Sequence, residues 1–479
     1  MSQETGTQAT SGQPGALPPR SGPRRAAAGF VNWLRTDLFR RTDSGPVGLR
    51  KILLAVAAVI AAAAISLSRT VGAGSLNTIW IEDAKFLLNQ ALNMSVGRAV
   101  SSPISTYYQE PARIFTEIAV QFPLAWAPGV MAIFAAAQYA MYGLVAYIAS
   151  GPYLHSRWLR LLMAAPVCAI PLAYTQVNND LVTVQFFGLY GAFWTVLWIP
   201  GTRAGRILSP LVMATVSWTA VLSIVFAPLI VARLIVDRSK NAWALAILWA
   251  SGVWLQMSET VLGESHHDEY GSNGLFYVLK NYVTRVVPRA LFGERSLGGA
   301  GADYRGDSTP LHITNVTAHH LLIVAAWVII AIVIAIALSR FTDPNWTLAG
   351  VAALFSLAIF VEEMLINTSV VQPRYTVAPA LLLYTALLAL MRPRVRAGTE
   401  GARATRGGTA VRWLPAAGFA VLLLVAVMLN FRVTNGRTTS PAWTSVVATA
   451  SDSCKLPGVT AYTFVHEWWW VTIPCGKVG

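Results

Sequence analysis

Charge is scarce in this sequence. Asp, Glu, Lys and Arg make up 12% of its 479 residues while 55% are hydrophobic, and the apolar residues gather in long runs instead of alternating with polar ones. That distribution excludes one large soluble core and indicates a membrane protein. No basic stretch has the spacing of a known nucleic-acid reader, so the formal charge of +14 is no sign of a nucleic-acid partner. The Arg residues sit mostly in the N-terminal tail and in short loops between apolar runs, where they orient a chain in the bilayer. No internal repeat is evident, and no apolar run near the N-terminus has the form of a signal-peptide core. Cysteine is limited to Cys168, inside an apolar run, and to Cys454 and Cys475, which share the final segment.

Apolar runs close to the ~20 residues that span a bilayer recur from Ile52 to Leu429. The candidates are 52–67, 122–148, 158–174, 181–199, 208–236, 242–255, 321–338, 346–366, 375–391 and 413–429. Placing the basic stretch through Arg40, Arg41, Arg50 and Lys51 in the cytoplasm also puts Arg157, Arg160, Arg203 and Arg206 inside. Arg233, Arg238 and Lys240 then conflict with a single helix over 208–236. A pair of short helices turning near Ser217 to Ser223 removes the conflict. The resulting expectation is an all-α integral membrane protein with about eleven crossings. Its parts are a disordered cytoplasmic tail (1–29), an interfacial helix (30–46), a multi-span domain (47–430) and a small external C-terminal segment (431–479). External loops cover 68–121 and 257–320. The C-terminal segment is too small for a robust core of its own, and an oxidising exterior permits a Cys454–Cys475 bridge. The aromatic triplet Trp468 to Trp470 is expected at the membrane interface.

Polar chemistry collects on the predicted outer face. Glu82 and Asp83 follow the first span, Glu110 and Arg113 lie later in that loop, and Asn178, Asn179 and Asp180 close the third run. Glu362 and Glu363 end the eighth run, and Arg374 and Tyr375 open the ninth. Charged groups beside spans are functional candidates because they are costly there. Structural roles compete at each position: Asp83 as the cap of a helix over 84–92, Glu362 or Glu363 as partner of Arg374, and Asn178 to Asp180 as a turn. The run His266, His267, Asp268 and Glu269 is a poor metal site, because neighbours in a loop seldom face one ion together. Leu275, Phe276, Leu279, Tyr282, Val283 and Val286 recur at helical spacing beside Lys280, Arg285 and Arg289, which predicts an interfacial helix.

Carboxylates with arginines at membrane depth suit glycosyl transfer from a lipid-linked sugar phosphate. A carboxylate takes the proton of the acceptor hydroxyl, and Arg neutralises the departing phosphate. Asp83, with Glu82 beside it, is the candidate base; Arg374 and Arg113 are candidate phosphate ligands. Glu110, Tyr375, Asn179, Glu362 and Glu363 are candidate supporting groups.

The sequence resembles the GT-C superfamily of polytopic glycosyltransferases in Trp80-Ile81-Glu82-Asp83-Ala84, in Tyr107-Tyr108-Gln109-Glu110-Pro111-Ala112-Arg113 running to Phe122-Pro123, and in Arg374-Tyr375 followed by Pro379. The resemblance implies a polyprenyl-phosphate sugar donor, an acidic motif in the first external loop and an envelope glycan or lipid acceptor at the plasma membrane. The Trp-Trp-Asp-Tyr-Gly signature of its oligosaccharyltransferases is missing, so peptide glycosylation is not implied. A carboxylate pair can also hold a divalent cation, but two residues do not define a coordination shell. Two other classes fit the same features: a transporter or flippase, for which the 208–236 pair would be a broken element, and a non-catalytic membrane assembly protein.

Overall fold

A computed structural model describes residues 23–42, 45, 47–104, 107–173, 177, 179–262, 274–295, 316–339, 341–366, 371–394, 406–432, 436–466 and 469–478. Helices account for most of these residues. The strands among them are Ala461–His466 and Trp469–Pro474. His266 to Glu269, Asn178 and Trp468 lie outside the described residues.

Among the described residues, six helical segments are long and apolar enough to cross a membrane: Leu49–Leu67, Leu124–Ala149, His319–Leu338, Trp346–Leu365, Pro373–Leu390 and Val411–Asn430. That measure does not confirm the expected count of about eleven, and the shorter runs show local reasons. Run 158–174 is split into Arg157–Ala164 and Pro166–Ala169, where a proline without an N–H ends the first helix. Val184–Leu197 is apolar but short, and Lys240–Leu262 is diluted by Gln256, Ser258 and Glu259. Ile52, Leu53, Leu54, Val56 and Ile60, and Leu321, Val324, Val328 and Ile332, are exposed. Such stripes on two helices of a membrane protein are a surface for lipid.

The loops gather at two ends of the bundle. At one, Thr42 N donates to Ile199 O (3.1 Å), and Arg40 Nη1 donates to Pro152 O (3.3 Å). Arg233 donates to Thr195 O, Val196 O and Asn241 Oδ1, while Asn241 Nδ2 donates to Arg206 O (2.7 Å). Arg392 donates to Tyr153 O and pairs with Asp343 at 2.6 Å. The arginines assigned by charge to one face therefore occupy one end. Run 208–236 accounts for how both its flanks reach it: Arg203–Ser217 is followed by the 3-10 turn Val221–Phe226 and by Ala227–Val236. The reversal is sheltered, with Ser217, Thr219, Ala220 and Ser223 all buried. Ser217 Oγ donates to Leu248 O, and Trp249 Nε1 donates to Ser223 O. Irregular backbone at this depth survives only with protein around it.

The N-terminal helix Pro23–Trp33 starts inside the stretch expected to be disordered tail, and a π-helical turn Leu34–Leu38 follows. Its faces differ. Phe30 and Trp33 are exposed and stack at 5.7 Å, whereas Leu34, Leu38 and Phe39 are buried against the bundle.

The C-terminal segment docks on the first long loop. Helix Trp443–Cys454 leads to an antiparallel hairpin in register Ala461↔Pro474 through His466↔Trp469. Cys454 and Cys475 are bonded. Thr472 N donates to Asn89 Oδ1 (2.9 Å), and Asn93 Nδ2 to Thr472 O (2.7 Å). Trp443 Nε1 reaches Leu124 O (2.9 Å). Trp469 is buried in this contact, and Lys85 Nζ sits 4.4 Å from the Trp470 ring centroid. The strand alternates, so Trp469 is buried against Phe464 and His466 of the hairpin while Trp470 is exposed beside Lys85 of the loop.

Candidate functional site at the acidic end of the bundle

Asp83 does not cap its own helix. The residue preceding the Asp83–Leu88 turn, Glu82, is already helical and makes no side-chain cap. The Asp83 carboxylate instead crosses to another segment, where Oδ2 accepts from Leu181 N (2.9 Å) and Oδ1 from Val182 N (3.0 Å). Those N–H groups lie in the turn just before the Val184–Leu197 helix, so Asp83 ties the first loop to that turn. Burial pushes its pKa up to about 6, with the two N–H donors and Arg437 opposing.

Beside it lies a network that the sequence did not reveal. Arg437 is buried and donates five hydrogen bonds: Nε to Thr78 Oγ1, Nη1 to Asn179 O and Asp180 Oδ1, and Nη2 to Ser75 O and Thr78 O. Its bond to Asp180 is a buried ion pair of 2.6 Å. Asn179 adopts a left-handed backbone (φ 59°), which Asn tolerates better than most residues. Its side chain bridges Ser66 and Ser75. Asn179 thus takes the turn role and holds the start of the first loop.

Glu82, next in sequence to Asp83, turns the other way and meets Arg374. Arg374 Nη1 stands 3.3 Å from Glu82 Oε1, and both side chains retain 23% exposure, against 3% for Asp83 as a residue. Arg374 opens the Pro373–Thr376 turn before helix Val377–Leu390, and its guanidinium lies 5.5 Å from the Tyr375 ring centroid. Tyr375 also packs on Phe186 (6.0 Å). Tyr107 completes the group: its hydroxyl bonds Gln185, and the charges of Arg374, Glu82 and Glu363 all act on it. Burial raises the Tyr107 pKa. Glu363 is buried at the end of helix Trp346–Ile366, with Glu362 beside it. Glu82, Tyr107, Gln185, Glu363, Arg374 and Tyr375 therefore share one neighbourhood built from four separate segments.

Arg113 and Glu110 stand apart. Arg113 Nη1 donates to Gln90 Oε1 (2.7 Å) and Ala99 O (2.6 Å), and Nη2 to Pro103 O (3.2 Å), so it cross-links the first loop internally. Burial lowers its pKa to about 10. Burial raises that of Glu110 to about 7, against the pull of Arg113. The neighbouring Tyr108 fixes this loop to helix Lys240–Leu262, with its hydroxyl donating to Glu259 (2.9 Å) and its main chain exchanging two bonds with Gln256. Among the described residues, no three His, Cys, Asp or Glu side chains come together as a metal site would require.

Gln185, Tyr107 and Arg437 were not singled out as site residues from sequence. Tyr107 lies inside a stretch that attracted attention, but a Gln in an apolar run and an Arg in a polar tail carry no periodic or motif signal.

No family model matches the chain, and no curated protein matches it. Among solved structures, arabinofuranosyltransferase AftD from Mycobacteria resembles it with a TM-score of 0.41 at 15% identity, over 82% of this chain and 27% of that one. A mutant of AftD gives 0.40 at 15% identity, over 81% and 28%. This chain thus spans about a quarter of the AftD length, and a likeness of that size identifies no activity for it.

Proposed function

We propose that this chain is a membrane glycosyltransferase that moves a sugar from a polyprenyl-phosphate donor to an envelope glycan or lipid acceptor. In this reading the acidic end faces outward and the arginine-rich end faces the cytoplasm, following the charge bias of its loops. The observation that carries the proposal is the partly exposed Glu82–Arg374 pair beside Glu363 and Tyr107. At 3.3 Å the contact is longer than the ~2.7–2.9 Å of a strong charge-assisted bond, so an incoming phosphate can exchange for it. Arg374 then binds donor phosphate, and Glu82 is released to accept the acceptor hydroxyl proton. The acceptor oxygen bonds the anomeric carbon as the carbon–oxygen bond to phosphate breaks. The bonding pair leaves on the phosphate, whose charge Arg374 balances. Asp83 holds the Glu82 backbone against the 181–182 segment.

The test is transfer by the purified full chain in nanodiscs with polyprenyl-phosphate sugars and envelope glycan acceptors. Glu82→Gln should lower turnover by about 10²- to 10⁴-fold while folding is kept. Arg374→Gln should lower it by about 10²- to 10³-fold. Wild-type activity in Glu82→Gln removes that residue as base. Substrate flux across vesicles with no new glycosidic bond would replace the enzyme reading by transport.

A further inference from the structure

Apart from the Glu82–Arg374 neighbourhood, the bundle contains a second cationic group that the proposed reaction does not use. The Leu275–Asn281 helix continues through a π-helical turn, Tyr282–Val286, into Val287–Phe292. It does not lie free on the membrane surface. Tyr282 Oη shares a hydrogen with Ser356 Oγ (2.8 Å), in the middle of helix Trp346–Ile366, and Trp327 Nε1 donates to Val283 O (3.1 Å). Its outer face stays apolar and open, with Leu275, Phe276, Leu279 and Val283 exposed.

On its inner side Arg289 is 2% exposed, yet its Nε and Nη1 have no hydrogen-bond partner. His319, at 8% exposure on the helix packed against it, has an unpartnered Nδ1. Arg289, Arg285 and His320 all act electrostatically on His319. The acid acting on Arg289 is Glu294. Among the described residues, two guanidiniums and two imidazoles against one carboxylate leave an excess of donors and positive charge. A buried guanidinium with free N–H groups is costly, and a phosphate supplies the acceptors it lacks.

We infer that Arg285, Arg289 and His319 form a binding site for the phosphate of a membrane lipid, whose chain lies along the exposed Leu275–Val283 face. Ala290 O accepts from Tyr384 Oη, and Tyr384 sits about 15 Å along its helix from Arg374 by helical rise. The site is therefore separate from the Glu82–Arg374 pair and stands whether or not that pair is catalytic. The π-turn contributes by placing Arg285 off the regular helical phase and toward the same group.

The test uses the full chain in detergent, with lipid retention read by native mass spectrometry and melting temperature read by tryptophan fluorescence. The probes are phosphatidylglycerol, a polyprenyl phosphate, phosphatidylcholine and inorganic phosphate. Wild type should retain one or both anionic lipids and melt higher with them. Arg289→Gln should retain at least tenfold less and lose the lipid-dependent shift. Its melting temperature without lipid is the baseline for that shift, since the substitution also removes the cation acting on buried Glu294. Arg285→Gln, at a partly exposed position, is a milder substitution with a smaller loss of retention. The two anionic probes separate a polyprenyl carrier from bulk phospholipid. Equal retention by wild type and Arg289→Gln, retention of phosphatidylcholine alone, or a response to inorganic phosphate only would overturn the proposal.

Discussion

Arg437 is the residue whose removal should be felt most. It spends all five guanidinium N–H donors on Ser75, Thr78, Asn179 and Asp180, and it and Asp180 each have 4% side-chain exposure. Deleting one member of a buried pair leaves the other charge uncompensated, at a cost of about 3–5 kcal/mol. Summing five separate bonds would overcount, because they share one side chain. With ~1.36 kcal/mol per tenfold step, Arg437→Ala should raise the opening equilibrium of the docked C-terminal segment by between about a hundredfold and several thousandfold. Amide hydrogen exchange of the full chain in detergent, followed over 443–474 at constant pH, reads this ratio when opening is at equilibrium. Arg437→Lys should recover only part of the loss, since a point charge with three donors cannot span these acceptors. Asp180→Asn added to Arg437→Ala should recover more than its own effect predicts, because it removes the orphaned charge. Less than a tenfold change in Arg437→Ala, with the bundle folded, would show that the network does not hold the segment.

The remaining predictions concern pH and the covalent link. Asp83 and Glu110 have folded pKa values raised to about 6 and about 7, above the ~4 of an unfolded carboxylate. Each therefore contributes stability that is complete below about pH 4 and is lost as pH rises through its folded value. Melting temperature should fall between pH 5 and pH 8, and the fall should shrink in Glu110→Gln; an equal fall in that variant would contradict the assignment. The Cys454–Cys475 bridge closes a separation of 21 residues, worth about 3 kcal/mol by loop entropy. Replacing both cysteines by Ser should speed exchange in the hairpin by about a hundredfold while leaving the helix Val377–Leu390 unchanged, and equal protection with and without the bridge would count against it.

The sequence was informative where local physics is self-contained. Long apolar runs at 49–67, 346–366 and 377–390 need only their own backbone bonds to become helices, so composition sufficed. The arginine bias located the reversal near 217–223 because two charged flanks had to return to one face. It was misleading where a partner distant in sequence decides. Asp83 looks like a local cap, but its acceptor positions are filled by N–H groups of Leu181 and Val182. Arg113 looks like a phosphate ligand, but carbonyls at 99 and 103 take its donors. The pairing of Glu82 with Arg374 was foreseen only as a shared face. Glu82 stands at 3.3 Å from Arg374, while its neighbour Asp83 is held by residues 181 and 182.

This last dependence joins the C-terminal segment to the candidate chemistry. Glu82 is positioned from two sides: by the strand of chain from Ser75 to Thr78 that leads into it, and by Asp83, anchored on residues 181 and 182. Arg437 grips both, donating to Ser75 O and Thr78 O on one side and to Asn179 O and Asp180 Oδ1 on the other. The hairpin then clamps the far end of the same loop through Asn89 and Asn93. A loop of this length without internal sheet would sample many conformations at a cost of about 1–2 kcal/mol per residue to order. The C-terminal segment offsets part of that cost, and the expected consequence is that undocking it weakens the Glu82–Arg374 contact. Loss of docking in Arg437→Ala should accordingly reduce transfer as well as protection, though Arg437 touches neither carboxylate nor guanidinium of the pair; full transfer by an undocked variant would separate the two.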